Sequence, residues 1–100
     1  MTAKRERDQV IERVLTGPGK APATARRAAF DNAGVAEPVR ALIDKVAKTA
    51  WKITDEDLAA PKAAQADDEI YEQVVAAALG QATRQRDAAL AALDEATKPR

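Results

Sequence analysis

Alanine supplies 25 of the 46 hydrophobic residues in this 100-residue chain. That limits the fold more than any other feature. Alanine is the strongest helix former and is depleted in strands. No stretch of the chain shows the apolar–polar alternation of a half-buried strand. The expectation is an all-α protein. Alanine also adds little volume to a core. Leu, Ile, Val and Phe together number only 18, slightly under the level at which disorder becomes a concern. Net charge is zero, however, and compositional disorder couples low hydrophobicity to high net charge. The chain therefore reads as one helical domain, residues 1–100, with a thin core. Association with a second copy is the expected source of the missing buried area.

Punctuation by Pro and Gly divides the chain into about five helices. Residues 3–16 place Val10, Ile11, Val14 and Leu15 on one stripe, and Gly17-Pro18-Gly19 ends it. Residues 1–20 thus form an N-terminal helix and turn. Residues 22–33 make a short second helix, with Pro22 in the first turn, Phe30 as its only large apolar side chain, and Gly34 as the stop. Pro38 fits the first position of a third helix, whose Val39, Leu42, Ile43, Val46, Ala47 and Ala50 recur at helical spacing. Thr54, followed three residues later by Asp57, approximates a capping box for a fourth helix over 55–64. Pro61 inside that pattern predicts a kink or an early end. Asp67 is the expected cap of the last helix, 68–95, with Pro99 beyond its end. Both chain termini are expected to fray.

Charge is divided along the chain. Residues 1–52 hold 11 Lys/Arg against 6 Asp/Glu, and residues 53–100 hold 5 against 10. Such a dipolar chain steers its own assembly, or simply coats solvated helix faces. No apolar run approaches the roughly 20 residues of a membrane span. The charged N-terminal segment is not a signal peptide, so a cytoplasmic location is expected. A pI near 6.3 and the lack of interleaved aromatics argue against a dedicated nucleic-acid binder built on residues 1–52.

Motifs for chemistry are sparse. The clusters Asp55-Glu56-Asp57 and Asp67-Asp68-Glu69 stand at predicted helix starts, where acids favour the helix dipole; no calcium-loop spacing is present. "GPGK" at 17–20 resembles part of a phosphate loop, but its spacer is wrong and Ala21 follows Lys20. No cofactor and no metal are expected. Glu37, Tyr71 and Glu72 are the candidate acid–base groups. A carboxylate buried near Trp51, a candidate pocket wall, would have a raised pKa and could exchange protons with a substrate.

"EPVRALIDKVAKTAW" followed by "AAQADDEIYEQVVAAALGQATRQRDAAL" resembles the alkylhydroperoxidase D-like, or carboxymuconolactone decarboxylase, family over roughly residues 37–93. The phrase "DDEIYE…AAALG" carries the likeness. The resemblance implies a family-like core at 37–95 and an oligomeric helical bundle. It places the redox cysteines of that family at Ala50 and Ile53, its histidine at Asp57, and its relay glutamate near Glu37. Gln65 stands where the family has Gly. The chain has no cysteine and no histidine. Thiol peroxidase chemistry, which needs a sulfur nucleophile, is therefore excluded.

Two readings result. One is a non-catalytic homo-oligomer, structural or partner-binding, with Ala76, Ala77 and Gly80 as a low-bulk contact surface for another copy, for the third helix of the same protomer, or for both. The other is a decarboxylase-like enzyme using Glu37, Tyr71 or Glu72 on a small carbonyl or lactone compound.

Overall fold

A computed structural model describes residues 3–98. Five α-helices follow in order: α1 (Ala3–Thr16), α2 (Ala23–Asp31), α3 (Arg40–Thr49), α4 (Asp55–Ala64) and α5 (Asp67–Thr97). A single 3-10 turn, Ala50–Lys52, joins α3 to α4. No strand occurs among the described residues, as alanine content and periodicity predict. Pro99 and the outermost residues lie outside the described range.

Local chemistry explains the helix ends, several of which depart from the sequence reading; α5, for one, runs on to Thr97, two residues past its expected end. α2 stops at Asn32 rather than running on towards Gly34. Asn32 takes the left-handed conformation (φ 50°), and its N–H reaches the carbonyls of Ala28 and Ala29. Asparagine tolerates that conformation better than most residues. α3 starts at Arg40, because Pro38 belongs to the turn that leads into it. α5 starts one residue early: Ala66 flanks it and Asp67 is its first helical residue. Glu69 supplies the cap by accepting the Ala66 N–H at 3.4 Å.

α4 does begin after Thr54, whose N–H donates to the Asp57 carboxylate at 2.8 Å. The helix also continues past Pro61 to Ala64. Pro61 removes one helical hydrogen bond, but its ring is fully buried, and that burial offsets the loss.

α5 is the axis on which the rest is laid. α2 packs against it most extensively, followed by α3. The core holds Leu15, Val39, Leu42, Ile43, Val46 and Ile70 as its large side chains, with Ala29, Ala76 and Ala77 between them. The core is as thin as composition implies. Close approach compensates in one place: a Cβ at Gly80 would overlap the Phe30 carbonyl oxygen. Arg84 donates to that same oxygen at 2.7 Å. Burying Ala76, Ala77 and Gly80 lets the α2 backbone lie directly on α5. These three residues are thus a contact within one protomer, which corrects their assignment to a subunit surface.

α1 runs antiparallel to α5. Val14 lines a cavity with Tyr71, Glu72 and Val75, while Glu6, Arg7, Val10 and Ile11 line another with Leu79, Thr83 and Arg86. Among the described residues nothing covers α5 beyond Arg86, and residues 87–98 are all exposed. The molecule is accordingly long, 56 × 29 × 20 Å, with a radius of gyration of 15.5 Å against about 13 Å for a compact chain of this length.

Candidate functional site

The most organised polar arrangement lies where α1 turns into α2. Gly17 closes α1, its N–H donating to the Arg13 carbonyl at 2.8 Å. Lys20 and Ala21 then present successive backbone N–H groups towards α5. Glu72, on the first half of α5, fills that concavity. Its two oxygens accept the Lys20 N–H at 2.9 and 2.8 Å, and one of them also accepts the Ala21 N–H at 3.0 Å. Charge-assisted bonds of this kind are about twice as strong as neutral ones. Glycine at position 19 is a condition of the arrangement, since a Cβ there would overlap Glu72 Oε1.

Arg26, buried to 6% exposure, lies beside the turn at Gly19. Its Nη1 donates to the Val14 carbonyl at 3.1 Å, and its Nε is buried without a hydrogen-bond partner. Glu72 lines two cavities, both open to solvent: one of about 130 Å³ with Val14, Arg26, Tyr71 and Val75, and one of about 230 Å³ with Gly19, Lys20, Asp68 and Tyr71.

The other candidate residues do not join this site. Glu37 is exposed and lines a separate cavity with Asn32, Arg40 and Asp44. Tyr71 is 70% exposed and Trp51 is 78% exposed. Trp51 lines neither cavity that contains Glu72. The chain bends at the 3-10 turn that carries Trp51, which turns the indole into solvent instead of into a pocket wall.

The positions that the family resemblance assigns to redox chemistry hold structural contacts. Ala50 begins the 3-10 turn, and Ile53 packs partly buried against the core. Asp57 accepts both Thr54 N–H and the Lys45 ammonium, the latter at 2.9 Å from each oxygen. The Lys45 hydrogen bond, then the Thr54 N–H, holds the Asp57 carboxyl below its ordinary value of 3.8. Asp44 is lowered in the same sense by the Asn32 amide and by Lys48. Gln65 accepts from the buried Gln73 at 2.6 Å, which joins the start of α5 to the end of α4. Among the described residues no group of three or more His, Cys, Asp or Glu is placed to hold a metal ion.

Sequence reasoning named Glu72 but missed its partners, Gly19, Lys20, Ala21 and Arg26. The signal that bears on it was "GPGK", read as a helix-breaking turn. No helix among the described residues is long and apolar enough to cross a membrane. Comparison with protein families, with curated proteins and with solved structures finds no match to this chain.

Proposed function

We propose that this chain is a non-catalytic helical protein of alkylhydroperoxidase D-like type, acting by association as a structural or partner-binding subunit, with a second copy as its first partner. One observation carries the reading. The face of α5 that α1 covers with Leu79, Thr83 and Arg86 continues, at the same three- and four-residue spacing, into Leu90 and Leu93. Those two leucines are 52% and 60% exposed. The seat thus extends past the described residues of the helix that occupies it. Two leucines one turn apart give a partner helix apolar area to bury.

Two-fold antiparallel pairing satisfies this face. Leu90 and Leu93 of one copy cover Leu93 and Leu90 of the other, as an isologous contact requires. Arg86 of each copy then approaches the acidic Asp94-Glu95 turn of its mate. The uncovered stretch, residues 87–98, is about 18 Å long, which is short for a stable interface. A reversible dimer with a dissociation constant on the order of 100 µM is expected. Sedimentation equilibrium across that concentration tests it, with Leu90→Ser/Leu93→Ser as the control. A folded wild-type monomer throughout the range ends the proposal.

A further inference from the structure

We propose that the α1–α2 turn is a receptor for a small carboxylate, and that its resident ligand is the side chain of Glu72. The inference is independent of self-association and rests on four observations at one place.

Two consecutive backbone N–H groups, from Lys20 and Ala21, make three hydrogen bonds to one carboxylate between 2.8 and 3.0 Å. Successive N–H groups in a turn form a concavity for an anion. The residue before them is glycine, and only the absence of its Cβ leaves the anion its space. The guanidinium of Arg26 is more than nine-tenths buried beside the seat, with Nε unpartnered. Its Nη1 lies 3.5 Å from where a Cβ of residue 19 would stand. A buried cation whose bonding is incomplete costs free energy unless an anion is close. Finally, two cavities open to solvent border the carboxylate, so the seat can be reached from outside.

The resemblance of "GPGK" to a phosphate loop thus has a physical basis with a different ligand. The turn does hold an oxyanion, but the chain supplies it from 52 residues away. Glu72 arrives at high effective concentration because the fold carries it there, so free anions do not displace it. Lys20 and Asp68 both line the neighbouring cavity and balance each other's charge, so shape decides: the three bonds made to the two oxygens of Glu72 fit a planar carboxylate better than a tetrahedral phosphate.

The test empties the seat and refills it. In the Glu72→Ala variant, formate is titrated at constant ionic strength against chloride, while the Lys20 and Ala21 amide resonances are followed. The expected result is a saturable shift of those two amides, half-complete at on the order of 10 mM formate. The same titration raises the thermal midpoint of the variant. Wild type shows neither response, and phosphate acts more weakly than formate. Glu72→Gln, which keeps the bulk of the side chain in the seat, does not respond. If Glu72→Ala is unfolded in buffer, recovery of its far-UV helical signal by formate replaces the amide readout. A response that is linear, equal with chloride, spread over the whole chain, or present in Glu72→Gln overturns the proposal. So does a folded Glu72→Ala variant that formate leaves unchanged.

Discussion

The two halves of α5 are both rich in alanine and have opposite fates. In residues 67–86 the helix lies under α2, α3 and α1: Ala76 and Ala77 have no exposure at all, while Ala78 and Ala82 on its outer side stay exposed. In residues 87–98, Ala88, Ala89, Ala91, Ala92 and Ala96 all face solvent. The difference lies in the neighbour. Alanine carries too little side chain to seek burial by itself, but it permits burial wherever another backbone can come close. Phe30 and Gly80 provide that approach in the first half. The second half has only its own propensity to hold it helical, and most helical stability in proteins comes from packing.

Substitutions placed in each half test this contrast. The largest effect is expected from Gly80→Val. Its Cβ would overlap the Phe30 carbonyl, and neither backbone can yield cheaply. A loss of about 3 kcal/mol or more in urea unfolding is expected. A similar result from Ala92→Val, in the uncovered half, would erase the contrast. Next comes Ala92→Gly, costing about 1 kcal/mol of local helix. It should speed amide exchange across residues 87–98 while leaving the exchange of Ala76 and Ala77 amides unchanged.

Acid sharpens the comparison from the side of the body. Asp44 and Asp57 both titrate below 3.8 in the folded chain. Their contribution is therefore fully present above the unfolded value and is lost as pH falls through the lower folded values. Asp44→Asn/Asp57→Asn should flatten the acid limb of a thermal-midpoint profile between about pH 5 and pH 2. The smallest change is expected from Leu90→Ser/Leu93→Ser. Monomer stability should move by within about 0.5 kcal/mol per substitution, although the same pair removes the proposed dimer.

Much of the fold was legible because its signals are local. Gly17, Pro22, Thr54 and the periodic α3 residues fix helix existence and approximate ends through chemistry spanning a few residues. The boundary shifts at Asn32, Pro38 and Ala66 arose where two neighbouring residues could each end or begin a helix. The fate of Ala76, Ala77 and Gly80 was not legible. A low-bulk helix face reads the same whether the backbone laid on it belongs to the same chain or to another. The seat at residues 19–21 was hidden for a related reason. "GPGK" shows that a turn is present, and "IYEQ" shows an acid on a helix. Nothing local joins groups 52 residues apart. Trp51 was placed by the assumption that a large aromatic seeks a wall, and the 3-10 turn carries it outward instead.

The uncovered end of α5 also governs how the molecule moves through solution. A particle 56 Å long and 20 Å thick drags more than a sphere of its mass and tumbles anisotropically. It should elute early from a gel-filtration column, at a position that a globular standard would assign to a heavier species. Friction alone can therefore mimic a second subunit, and light scattering, which reads mass without regard to shape, separates the two.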